Sequence, residues 1–398
     1  MEKAKVYFAE ARSKIWNYEY SLPGKLEELL EKVDLSKYIS PKDIVAVKTH
    51  FGSQGAFRIV RPVFIRKIVD AVKAIKGKPF VTDTTRIESL DYLEVAAYNG
   101  LTHLTCGAPV LIADGIKGRD STSVKVEGHK HISEISVANG IYHADAMIVV
   151  SHFKGHLQAG FGGAIKNIGM GGVSPKTHDG KNNRGRLHSV DDKLPAWDKA
   201  KCTLCKRCEA ICPTESITIK SKNVEFNDDA CWRCGRCARI CKEKALDMPI
   251  TSERLNTHII EASKAVMSTF KPKKVVFINF MIEMQPECDC MPTADVPVVN
   301  DQGIALSDDP VAVDQACIDI VSKAPPLPDS LASDLGVTKP GDTFGAVNKR
   351  ETKLSLEIGE KMGLGTRKYE LVTVKKKSKS ALTIDNLRFN VGYLGKTL

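Results

Sequence analysis

The chain has 398 residues, 42% hydrophobic and 27% charged, with a formal net charge of +10. That length suits two or three structural units, and the composition excludes a disordered, collagen-like or fibrous chain. No apolar run approaches the ~18 residues of a membrane span. The opening MEKAKVYFAEARSK lacks the apolar core of a secretory signal. With 6% aromatic residues and no clustered basic face, nucleic acid is a poor partner. The expectation is a cytoplasmic protein that engages neither membrane nor nucleic acid.

In chain order, period-two and apolar runs predict strands at 5–9, 44–49, 79–83 and 146–151, alternating with helices at 26–33, 63–75 and 90–99. A cysteine-rich stretch, 196–250, follows. The alternation then resumes, with helices at 254–270 and 310–323 and strands at 274–281 and 369–374. Ser307 or Asp308 is placed to cap the helix that opens at Pro310. Alternation of this kind predicts an α/β fold with a largely parallel sheet. The body then has a first part at 1–195, an inserted module at 196–250 and a second part at 251–398; three consecutive domains are the alternative. The last residues, opening with Lys375-Lys376-Lys377-Ser378-Lys379, read as a surface strand and tail.

Eight of the twelve cysteines form a ladder with the spacing C-x2-C-x2-C-x3-C, written twice: Cys202, Cys205, Cys208, Cys212, then Cys231, Cys234, Cys237, Cys241. Each member of the second set follows its counterpart by 29 residues, so the ladder is an internal repeat. An iron–sulfur cubane needs four thiolates. Three at this spacing wrap one cluster, and the fourth reaches the other. The expected sets are therefore Cys202, Cys205, Cys208 with Cys241, and Cys231, Cys234, Cys237 with Cys212. Zinc sites usually present separated C-x2-C pairs and match less well. The stretch resembles the bacterial two-cluster ferredoxin, which implies two [4Fe–4S] clusters in an α+β module. Pro213 follows the first set as in ferredoxins; Lys242 stands in that place after the second. Basic neighbours (Lys206, Arg207, Arg233, Arg236, Arg239) suit docking of an acidic electron donor.

A second constellation lies at expected strand ends. Lys48-Thr49-His50-Phe51-Gly52 and Ser151-His152-Phe153-Lys154-Gly155-His156 both place hydroxyl–His–Phe there, and Asp83-Thr84-Thr85-Arg86 ends a third strand. Ligands of open α/β sheets bind outside the carboxyl ends of strands. Next come six glycines in the thirteen residues from Gly160 to Gly172, around Lys166. Exposed amides near Gly162 and Gly163, with Lys166, are candidates to hold a phosphate or carboxylate; a glycine-rich packing turn is the plainer alternative. The polar run from Lys176 to His188 reads as a mobile loop or lid. Cys288-Asp289-Cys290 offers a soft-metal site, a redox thiol pair, or two buried structural cysteines. Cys106 and Cys317 read as core residues.

The THFG and SHFKGHLQAGFGGAIKNIGMG segments, the CDC and the SDDPVAVD resemble the iron–sulfur-binding family labelled domain of unknown function 362. That resemblance implies cluster binding and names no substrate. A more distant likeness is to the nickel-pincer lactate racemases. Asp83, Thr85 and Arg86 match their Asp-x-Thr-Arg motif, His152 or His156 would match a catalytic histidine, and Lys166 their cofactor lysine. His178 or His188 would stand for the nickel-binding histidine, which has no secure counterpart. The ferredoxin segment is absent from that family.

The expected function is that of an iron–sulfur protein exchanging electrons between an external donor or acceptor protein and a site in the α/β body, in the manner of a ferredoxin-dependent oxidoreductase. His50, Asp83, His152 and His156 would handle protons, and Arg86, Lys166, Gly162 and Gly163 would bind a small anionic substrate or cofactor group. The alternatives are a dedicated electron carrier with no substrate of its own and a metal-dependent isomerase with structural clusters.

Overall fold

The computed structural model describes residues 3–85, 89–188, 193–248 and 251–374. Arg86 and the lysine-rich tail lie outside the described residues. The body is one eight-stranded sheet. Its strands are β1 (Ala4–Glu10), β2 (Ile44–Thr49), β3 (Lys78–Asp83), β4 (Val110–Ile112), β5 (Ala146–His152), β6 (Val275–Met281), β7 (Gly303–Ser307) and β8 (Tyr369–Thr373). Their order is β8-β1-β7-β6-β5-β2-β3-β4. β7 alone runs against the other seven. Every residue of the neighbours β5 and β6 is buried, as expected for central strands covered on both faces.

Helices cover both faces. α1 (Leu22–Val33), α2 (Pro62–Ala74) and α3 (Ser89–Tyr98) pack on one side, and α4 (Ala164–Gly171), α5 (Ser252–Ser268), α6 (Pro310–Val321) and α7 (Lys353–Lys361) on the other. α1 starts four residues before its expected first turn because Ser21 accepts a hydrogen bond from the Gly24 amide and a proline stands in the first turn. The cap of α6 is neither Ser307 nor Asp308. Asp309 accepts from the amides of Val311 and Ala312, while Ser307 donates to the Lys5 carbonyl and Asp308 accepts from Tyr38. Cys106 and Cys317 are fully buried in the two apolar layers.

The cysteine-rich stretch lies on the path between two paired strands, because β6 returns parallel beside β5. Its ends are tied by antiparallel pairing of Ala196–Trp197 with Leu246–Asp247. Within it, a hairpin pairs Ile217–Lys220 with Asn223–Phe226, and two short helices span Arg207–Ala210 and Arg236–Ile240. The 29-residue repeat is written in the backbone as well as in the cysteines. Leu204 and Arg233, Lys206 and Gly235, and Glu215 and Lys244 share left-handed φ values of 54 and 54, 61 and 70, and 50 and 49°. For residues with a Cβ that conformation costs ~1–2 kcal/mol each, so its recurrence at matched positions reflects a constraint common to both loops.

Candidate functional site

The carboxyl ends of β2, β3, β5 and β6 open on one edge of the sheet, and a cavity of about 480 Å³ lies there. Lys48, His50, Asp83, His152, His156, Lys166 and Cys288 line the body side, while Trp232, Cys234, Arg236 and Arg239 of the cysteine-rich stretch line the facing wall. The two walls are bonded: Gln158 donates to the Cys234 carbonyl at 3.2 Å, and Asn182 to the Cys231 carbonyl at 2.7 Å.

Asp83, the last residue of β3, organises one corner. It pairs with Lys48 Nζ at 3.0 Å and accepts from His50 Nδ1 at 2.8 Å and Tyr92 Oη at 2.6 Å. Burial alone would raise this carboxyl, but Lys48 and His50 hold it far below the usual carboxylate range. Burial also pulls the His50 imidazole below its ordinary value. With Nδ1 on Asp83, the Nε2 of His50, a residue that lines the cavity, is buried without a hydrogen-bond partner among the described residues. This is an oriented Asp–His dyad whose free nitrogen can accept a proton.

A second corner is built on the turn after β6. Lys166, on α4, points its ammonium at Cys288 Sγ, 3.2 Å away. His156 accepts the Gln158 and Ala159 amides at Nδ1, 3.2 and 3.0 Å away, which leaves the ring N–H on Nε2. The Cys290 side chain also favours the Cys288 thiolate. Cys290 and Lys166 outweigh burial and bring the Cys288 thiol well below its usual value. Against its burial, Lys166 is in turn raised by the two cysteines.

The geometry revises several expectations. His152 lines the cavity, but both its ring nitrogens are engaged, with Asp289 Oδ1 and the Ile282 carbonyl, each at 2.8 Å. It clasps the Cys288–Cys290 turn and has no free nitrogen for proton exchange. The amides that open α4 are not available to an anion: Ala164 and Ile165 donate to the two oxygens of the buried Asp314 at 2.8 and 3.0 Å. Gly163 is small because a Cβ there would run into that carboxylate, and Gly162 lies against the Lys154 side chain. The run from Lys176 to His188 is no lid. Asn183 is fully buried and bonded to Ser136 and Ser174, and Arg184 donates to the Thr85 carbonyl at 2.7 Å. Thr85 is held by Asp114. His178 is exposed and away from the cavity, whereas His188 lines it, its pKa drawn down to about 3 by burial and by His156 and Lys166. Sequence reasoning left Tyr92, Lys154, Asn167 and Arg184 out of the site. Lys154 and Asn167 stand beside residues that it singled out; Tyr92 and Arg184 carried no local signal of their own.

The ladder cysteines sort into two separate hollows. Cys202, Cys205, Cys208 and Cys241 line one, and Cys212, Cys231, Cys234 and Cys237 the other. Ile217, Val224 and Leu246 pack between them. The Arg233 amide donates to Cys231 Sγ at 3.4 Å, the Ala245 amide to Cys241 Sγ at 3.3 Å, and Ser216 Oγ lies 3.2 Å from Cys212 Sγ. Burial pushes the Cys237 thiol up to about 12, so loading these sets with metal would release protons. Among the described residues no three His, Cys, Asp or Glu converge on a single ion. Four thiolates that each bind a different iron need not converge.

A family model matches residues 45–319. The chain belongs to the DUF362 family, a domain of unknown function. No curated protein matches this DUF362 chain. Among solved structures it is similar to the lactate racemase apoprotein from Thermoanaerobacterium thermosaccharolyticum, with 13% identity over 70% of this chain and 51% of that one, at a TM-score of 0.30. It is also similar to a structural-genomics protein from Thermotoga maritima, with 10% identity over 85% and 59% and a TM-score of 0.36. The DUF362 chain thus spans between about half and three-fifths of the length of these two. No described helix is long and apolar enough to cross a membrane.

Proposed function

We propose that this DUF362 chain is an electron-transfer protein that holds two [4Fe–4S] clusters and serves an anion-binding redox site in its own α/β body. Cys202, Cys205, Cys208 and Cys241 would hold one cluster and Cys212, Cys231, Cys234 and Cys237 the other. The donor chemistry fits: two all-cysteine sets, amide donors at two of the sulfurs, and an apolar seam between the hollows. Bound there, such clusters supply one-electron transfer at a potential tuned by those hydrogen bonds and by burial.

The observation that carries the reading is the position of Cys234. It belongs to one hollow and also forms part of the cavity wall that faces His50, Lys166 and Cys288. The chain's own residues would do the rest. Lys166 presents positive charge to an anionic substrate, with Arg236 and Arg239 across the cavity. His50 Nε2 takes or returns a proton while Asp83 and Tyr92 keep the ring oriented. Basic residues around the ladder would dock an acidic electron-donor or acceptor protein, with the cytoplasm as the working compartment.

The test is potentiometric electron paramagnetic resonance of anaerobically purified protein, wild type and Lys166→Ala, with and without phosphate or small carboxylates. The reading predicts cluster signals in both proteins and an anion-dependent change in the wild type alone. An identical response to every anion in both would remove the anion site. Absence of any cluster signal would remove the electron-transfer role.

A further inference from the structure

Cys288 and Cys290 stand on the cavity wall opposite Cys234. Three features of their setting go beyond what a packed structural cysteine needs. Cys288 Sγ lies 3.2 Å from the Lys166 ammonium, and the His156 ring and the Cys290 side chain also favour its thiolate. The tautomer of His156, which lines the same cavity, is fixed by the two amides at Nδ1, so its ring N–H is on Nε2. The turn itself is anchored through its middle residue. Asp289 is bonded to His152 at 2.8 Å, Gln285 at 3.1 Å and Lys154 at 2.9 Å, and the Met291 amide closes onto the Cys288 carbonyl at 2.8 Å. The anchor fixes the backbone and leaves both cysteine side chains at the cavity.

We propose that Cys288 and Cys290 are a redox-active dithiol that closes to a disulfide and reopens, with Cys288 as the attacking thiolate and a small anionic disulfide as the molecule it exchanges with. The proposal rests on the electron-transfer reading only for the source of its reducing electrons. In oxidation, the Cys288 thiolate attacks one sulfur of the incoming disulfide, that S–S bond breaks, and one thiolate leaves. Cys290 then attacks Cys288 Sγ, passing its proton to the second departing thiolate. The result is a Cys288–Cys290 disulfide, one free thiolate and one free thiol. In reduction, two electrons enter one at a time from a low-potential one-electron donor, the S–S bond breaks, Cys290 takes up a proton and Cys288 returns to the thiolate beside Lys166. The anionic class follows from Lys166 on one wall and Arg236 and Arg239 on the other. Lys166 loses its thiolate partner on oxidation, so its charge favours the reduced form and makes the pair more oxidising.

The test equilibrates the full chain, purified without oxygen, in mixtures of reduced and oxidised glutathione. Acid quench, alkylation and peptide mass spectrometry then read the two thiols. The expected result is a sigmoidal loss of both alkylation sites together, with a 288–290 peptide lighter by two hydrogens. In Cys290→Ser, Cys288 should instead retain a glutathione adduct. In Lys166→Met the equilibrium should move at least tenfold toward the disulfide, or about 30 mV at 29.6 mV per tenfold. Both cysteines alkylated at every glutathione ratio, with no adduct in Cys290→Ser, would overturn the pair. An unmoved equilibrium in Lys166→Met would overturn the role given to Lys166. Iron content is measured on the same samples, so failure of the cluster reading is seen separately from failure of the dithiol.

Discussion

Asp314 holds the start of the helix that carries Lys166 and Asn167 into the cavity, and its removal tests that construction. Its two oxygens accept from Ala164 and Ile165, and Oδ1 also accepts from Asn279 Nδ2 at 2.6 Å. Asp314→Ala leaves three buried donors without an acceptor, each worth ~1–3 kcal/mol. There is an opposing effect. Burial, only partly offset by the Ile165 amide and Asn279, raises the carboxyl from its ordinary 3.8 to about 6. At ~1.36 kcal/mol per pH unit, holding it ionised costs the folded chain ~3 kcal/mol at neutral pH. The net loss expected at pH 7.5 is therefore ~3 kcal/mol. The sign with pH follows: an acid whose folded pKa is raised destabilises the fold above that pKa, and the penalty fades as pH falls from about 6 toward 3.8. Wild type should thus gain ~1.4 kcal/mol between pH 7.5 and 5.0 that the variant does not. Anaerobic urea unfolding at the two pH values measures both quantities, and hydrogen exchange at the Ala164 and Ile165 amides reports the cap directly. A loss under ~0.5 kcal/mol with both amides still protected would refute the reasoning.

Tyr92→Phe removes the hydroxyl that Asp83 accepts at 2.6 Å. It should lower stability by ~1–3 kcal/mol in the same unfolding assay. Gly163→Ala places a methyl against the Asp314 carboxylate, and a loss of ~1–3 kcal/mol is expected. Gly341→Ala, with nothing within 4 Å of its added carbon, is the control and should stay within ~0.5 kcal/mol. The division of the ladder can be read by combining serine substitutions. Cys241→Ser with Cys208→Ser, both in one hollow, should cost about four irons, whereas Cys241→Ser with Cys237→Ser should cost about eight. Equal losses from the two pairs would mean the sets are drawn wrongly.

The sheet was legible because its central strands are mostly apolar runs, and β2, β5 and β6 fall within a residue of where those runs lie. β7 was not. Its five residues carry no period that separates a strand from a loop, and strand direction leaves no trace in composition. The glycine-rich segment misled in a specific way. Glycine enrichment signals close backbone approach without naming what approaches. Here the close neighbours are α5, which a Cβ at Gly169 would strike at the Ile259 carbonyl, and Asp314 beside Gly163. The histidines and Asp83 stood out because they end strands, and the sheet brings His50 and Asp83 together. Tyr92 and Arg184 reach the same cavity from a helix and a loop, a convergence set by tertiary packing alone. The cysteine repeat was legible because spacing and ligand chemistry are both local, and the matched left-handed residues repeat the same 29-residue interval.

The central claim is that the two cysteine sets hold two cubanes. Its most direct test is iron, acid-labile sulfide and zinc per chain in protein purified without oxygen. The account predicts about eight irons and about eight sulfides with no stoichiometric zinc. Zinc in the ladder, or iron without sulfide, would contradict it.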